Sequence, residues 1–166
     1  QQQQQKTVRA FFWNQNRAES CSVRSETSKN AQVCYQKVKM TKIFAVKGRP
    51  QNHPLIVHIA NIDELQTVAV DIHNDAIKLA HACWPGPLTL LLHRNENVSM
   101  SITGGRDTVA VRIPDNAFTR QLILDLGSPS AAPSANRFGK VSPTTAQHVC
   151  DDLQNDVDLI VDDGAS

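Results

Sequence analysis

Short apolar runs begin to alternate with helical spacings only after residue 42 of this chain. Before that point, residues 1 to about 40 show neither a 2-residue nor a 3.6-residue apolar period, and Phe11-Phe12-Trp13 is their strong apolar cluster. That stretch reads as a tail or disordered segment. Thr41 to Val46 is helix-like, and Leu55 to Ile59 after Pro54 reads as a buried strand. Asn61 or Asp63 can cap a short helix through Val70, and Asn74 or Asp75 a second through Cys83, which Pro85-Gly86-Pro87 stops. Leu88 to Leu92 and Thr108 to Ile113 read as strands, the latter alternating Thr, Ala and Arg against Val, Val and Ile. Asn116 to Leu126 carries Phe118, Leu122, Ile123 and Leu126 at helical spacing and ends at Gly127. Ser142 with Pro143 predicts a cap and first helical residue for a helix to about Leu153, and Leu159 to Val161 a last strand. Strands and helices in this alternation predict an α/β or α+β layered sheet.

Charge divides the chain at nearly the same place as the pattern. The net charge of the 166 residues is +1, yet residues 1 to 50 hold ten basic and two acidic side chains while the remainder holds seven and fourteen. No apolar run approaches the roughly 20 residues that a helical bilayer span needs. Cys21, Cys34, Cys83 and Cys150 form no C-x-x-C pair, so neither a zinc ribbon nor a redox motif is present, and a reducing cytoplasm is the expected compartment. A second targeting reading rests on residues 6 to 42, which are rich in Lys and Arg, contain Ser and are poor in acids, as organellar transit peptides are.

Three segments put polar groups where a core would not want them. Lys47-Gly48-Arg49-Pro50 sets two cations around a glycine before a buried strand, either as a solvated basic turn or as a polyphosphate contact whose glycine admits the backbone. Ser130 to Asn136 is a run of small and polar residues, either a flexible loop or a surface on which a nucleotide lies against main chain. Arg112 lies on a strand that is otherwise apolar at alternate positions and needs an anionic partner, a structural carboxylate or that of a ligand. His58 lies inside an apolar strand nine residues after Arg49 and is a further candidate for ligand contact. The six His never take an H-E-x-x-H or similar spacing, and P-loop, dinucleotide and nucleophile-elbow motifs are absent, so no dedicated metal site is expected.

In combination these segments resemble the YrdC-like domain of the threonylcarbamoyl-AMP synthase family. The matching text is Lys42 to Pro50, Pro54 to Ile59, Trp84-Pro85-Gly86-Pro87-Leu88-Thr89, Val109 to Pro114, Ala132 to Asn136 and Ser142-Pro143-Thr144-Thr145. The resemblance implies a twisted, mostly antiparallel or mixed sheet flanked by helices, with a concave, positively charged nucleotide-binding cavity. It implies that L-threonine and bicarbonate form threonylcarbamate, whose carboxylate attacks the α-phosphorus of ATP and expels pyrophosphate. Magnesium would arrive on the ATP phosphates. The adenylate would pass to a partner transferase that modifies adenosine 37 of tRNA.

Carried over by position, Lys47 and Arg49 resemble the triphosphate-binding cations, which position the substrate; no residue is assigned a covalent role. His53 stands where the family usually has an asparagine that contacts ATP, and Thr108, Ser134, Asn136 and Ser142 match nucleotide-contacting positions. His58, Arg112 and Ala132 resemble threonine contacts, with Arg112 pairing the carboxylate and Ala132 offering backbone. Of the family's P-T-E-T-V-Y-G-L-G motif only Glu26-Thr27 is echoed, and the chain stops before the S-T-V-V-D and R-P-G segments. The expectation is therefore a non-family tail over 1–41 and a partial YrdC-like domain over 42–166. Two alternatives to the enzyme are a tRNA- or double-stranded-RNA-binding module with a basic cavity and an inactive fragment.

Overall fold

The computed structural model describes residues 40–153, 156, 157, 160–162 and 164. The tail expected over residues 1–41 lies, but for its last two positions, outside the described residues. So does Leu159 of the expected last strand, and its neighbours Ile160 and Val161 are not in a strand.

The alternation along Thr108–Arg112 (β4) builds the centre of the molecule, with Val109 and Val111 buried and Thr108, Ala110 and Arg112 turned to the other face. It pairs in parallel with Ile56–His58 (β1), matching His58 to Arg112, and antiparallel with Leu90–Arg94 (β3), matching His93 to Thr108. Ala69–Val70 (β2) adds to β3, and Ser130–Ala131 (β5) to β1, both antiparallel. The order is β2-β3-β4-β1-β5, a mixed sheet flanked by helices, as expected.

One face of the sheet carries the main core: Val57, Ile59, Val109, Val111 and Ile113 meet Leu65 and Val68 of Leu65–Val68 (α2). Ile77 of Asn74–Cys83 (α3) and Ile102 of Met100–Thr103 (α4) pack against the same cluster. The first helix, Met40–Lys47 (α1), places Ile43 and Phe44 against Leu55, and Val46 against Ala135 and against Val149 and Leu153 of Ala146–Leu153 (α6). Ala117–Leu126 (α5) begins at Asn116, whose Oδ1 accepts the Thr119 N–H at 2.8 Å, and ends at Gly127 with φ of 62°, as the sequence predicts.

Several predicted boundaries move for local reasons. The strand expected from Leu88 begins at Leu90, because the Trp84 indole donates to the Leu88 carbonyl (2.8 Å) and holds it in the turn after α3. The helix expected through Val70 ends at Val68, since Ala69 and Val70 pair with Arg94 and His93. The cap of α3 is His73, whose Nδ1 accepts the Asp75 N–H, and not Asn74 or Asp75. Nor do Ser142 and Pro143 open α6; Thr145 does, its Oγ1 accepting the His148 N–H at 3.2 Å.

Candidate functional site

The sheet face opposite the core is lined in register by polar and small side chains. Registers His58↔Arg112 and His58↔Ser130 set these three on neighbouring strands of that face. Thr108 shares the face four residues from Arg112, about 13 Å away at the rise of a strand. Leu91 on the same face is 69% exposed, so this side of the sheet is open among the described residues.

Arg112 donates Nε to the Gly86 carbonyl at 2.8 Å and, among the described residues, forms no ion pair with a carboxylate within 4 Å. Burial lowers its pKa, and the charge of Asp115 acts in the opposite sense. Of the two partners the sequence allows for this cation, a structural carboxylate at ion-pair distance is not found among the described residues. His58 is buried between the two edges of this group. The Ala132 N–H extends the β5 ladder by bonding the Ile56 carbonyl (3.2 Å).

A second group forms where α1 ends. Gly48, with φ of 61°, follows Lys47; its N–H bonds the Ala45 carbonyl and the Arg49 N–H bonds the Phe44 carbonyl, a Schellman closure. An added Cβ would meet no protein atom within 4 Å, and the left-handed turn is what favours glycine here.

The Lys47 residue is only 2% exposed, and its ammonium donates to the Ser134 carbonyl at 2.5 Å and to the Asn136 carbonyl. Desolvation, helped by the charge of Arg49 and opposed by Asp152, lowers its pKa to about 8. Arg49 donates Nη2 to the Pro54 carbonyl at 2.8 Å, lies 5.9 Å from the centroid of the Phe138 ring, and has its pKa lowered by burial. His53 meets the edge of the same ring at 4.9 Å between centroids. Asn136 is buried; its Nδ2 bonds the carbonyls of Arg137 and Lys140, while Oδ1 is buried with no hydrogen-bond partner among the described residues.

Thus the structure brings Lys47, Arg49, His53, Ser134 and Asn136 into one cluster and places His58, Arg112 and Thr108 on the open face. The segment 130–136 connects the two, paired with β1 at Ser130 and Ala131, bonded to Ile56 at Ala132 and held by Lys47 four residues later. Ser142 is exposed and bonds to neither group among the described residues. A shallow pocket of about 200 Å³ lies elsewhere, between Asn61, His81, Trp84 and Pro85, and none of the candidate residues lines it.

Sequence reasoning missed Arg137, Phe138 and Asp152. Arg137 donates Nη1 to the Val46 carbonyl at 3.0 Å, and its backbone N–H and Nε bond the Asp152 carboxylate and carbonyl. Phe138 donates its N–H to the Lys47 carbonyl at 2.8 Å. Two carbonyls left open by the end of α1 are thereby satisfied from one loop. The available signal was an aromatic residue next to a glycine, two positions after Asn136, in a chain with only 5% aromatic residues.

The Sua5/YciO/YrdC family profile, described as telomere recombination, matches residues 33–166. The threonylcarbamoyl-AMP synthase of Pyrococcus abyssi is 49% identical over 123 residues, which cover 74% of this chain and 36% of that protein. That of Idiomarina loihiensis is 35% identical over 128 residues, 76% of this chain and 69% of the relative. The crystal structure of P. abyssi Sua5 complexed with L-threonine superposes with a TM-score of 0.74 at 48% identity, covering 76% of this chain and 37% of that one. The chain thus spans about a third of the length of the archaeal relative.

Proposed function

The chain belongs to the Sua5/YciO/YrdC family, and from that premise we propose that it carries the nucleotide and amino-acid site of a threonylcarbamoyl-AMP synthase. The observation that carries the proposal is the juxtaposition of a carboxylate-competent arginine on an open sheet face with a cluster of cations, joined by the loop 130–136. The threonine amine and bicarbonate condense to threonylcarbamate with loss of water. A carbamate oxygen then forms a bond to the α-phosphorus of ATP as the bond from that phosphorus to the bridging oxygen breaks, and pyrophosphate leaves with its magnesium.

Arg112 pairs with the threonine carboxylate, assisted by His58 and by main chain at Ala132. Lys47 and Arg49 neutralise the triphosphate, with His53, Ser134, Asn136, Thr108 and Ser142 completing the nucleotide contacts. Catalysis of this kind consists of alignment and charge neutralisation and needs no side chain that becomes covalently modified. The fit of P. abyssi Sua5 as a threonine complex supports the amino-acid half. By the same resemblance, the adenylate is handed to a transferase that acts on tRNA.

The test is ATP–pyrophosphate exchange dependent on both L-threonine and bicarbonate, measured on this chain. Exchange that proceeds equally well without threonine would refute the assignment.

A further inference from the structure

One residue, Phe138, bonds through its backbone to Lys47 and meets Arg49 and His53 through its ring. We infer that Phe138 is a positioning residue for the triphosphate, holding Arg49 and His53 in the orientation in which they receive ATP; the inference rests on the ATP reading above.

Three contacts converge on it. The Phe138 N–H is bonded to the Lys47 carbonyl, which ties the residue to the end of α1. The ring lies 5.9 Å below the Arg49 guanidinium carbon and 4.9 Å from the His53 imidazole, at an interplanar angle of 74°. Arg49 needs such support. Among the described residues its Nε is buried with no hydrogen-bond partner, and Nη2 alone is bonded, to the Pro54 carbonyl. A cation removed from water on one side is favoured when the negative face of an aromatic ring replaces that water. With Nη2 tied to Pro54 and the ring beneath, Nη1 is left to meet an anion in a defined direction. A guanidinium held in this way loses less side-chain freedom when a phosphate binds.

The ring is 43% exposed, so it is not a core residue whose loss should collapse the fold. That makes substitution informative. Calorimetric titration of ATP and, separately, of L-threonine into this chain should be carried out for wild type, Phe138→Leu and Phe138→Tyr. Phe138→Leu should weaken ATP binding about tenfold, while Phe138→Tyr, which keeps the ring, stays within about twofold of wild type. Threonine binding and the melting temperature should stay near wild type in both variants. The Arg49 Nε–H resonance of the free protein should also move on loss of the ring.

Unchanged ATP affinity in Phe138→Leu overturns the inference, as does an equal loss in the Tyr variant or a parallel loss of threonine binding. A wild-type chain that binds no ATP instead overturns the proposed function, and this inference with it.

Discussion

Lys47 is the residue whose chemistry is most altered by the fold. Its pKa falls from 10.5 to about 8, chiefly because burial penalises the ammonium. Between those values the unfolded chain binds more protons than the folded one, so the contribution of this group to stability rises as pH climbs from about 8 to 10.5. ATP affinity should run the other way, because the folded protein loses this positive charge as pH rises through about 8. Titrations at pH 7 and pH 9.5 should show weaker ATP binding at the higher value, a difference that Lys47→Met abolishes by weakening binding at both. Arg112 makes the complementary case. Arg112→Gln should reduce threonine affinity at least about tenfold, the scale of a lost charge-assisted contact, and leave ATP affinity within about twofold. A calorimetric pair of titrations distinguishes these outcomes, and equal loss of both ligands would contradict the division of the site.

At the scale of elements, boundaries followed local competition between donors and acceptors. The burial alternation of Val109 and Val111 was legible because period 2 is a property of the strand itself. Asn116 and Gly127 were legible as the ends of α5 because cap and left-handed stop are short-range devices. Ser142-Pro143 misled for the complementary reason, since Thr145 three residues later offers the same hydroxyl and wins the cap. Gly48 was recognised as special, and the structure adds a local reason, the closure onto the Phe44 and Ala45 carbonyls. Gly48→Ala should therefore cost about 1 kcal/mol in urea unfolding, the usual penalty for a side chain in the left-handed region. Leu153→Ala should cost about 2–4 kcal/mol and loosen α6 from Val46 and Ala135. A measured loss under 1 kcal/mol would mean that α6 is not part of the site's support.

Seen whole, the near-neutral total of +1 conceals a domain whose cations matter through placement. Sheet class could be read from the chain, and the family through resemblance. What could not be read is the pairing of residues far apart in sequence: the Lys47 ammonium with the Asn136 carbonyl, or Arg137 with the Val46 carbonyl. No periodicity encodes such contacts, because they depend on where the sheet delivers two separate segments. Asp152 belongs to the same class; its bonds from Lys140 and the Arg137 N–H hold its carboxyl below the usual range.

The bond from Lys47 to Asn136 joins residues 89 apart in the chain. Closing so long a segment costs more chain entropy than bringing β3 to β4, whose facing ends are separated by a short connection. The anchoring of the 134–138 loop on α1 should accordingly be a late event of folding. In pulsed hydrogen exchange during refolding, the Phe138 amide should gain protection after the amides of β3 and β4, and simultaneous protection would exclude that order. On the proposed function, a chain that has built its sheet but not yet closed this contact should look largely native by circular dichroism and take up no ATP, so that nucleotide binding would report the completion of folding rather than its beginning.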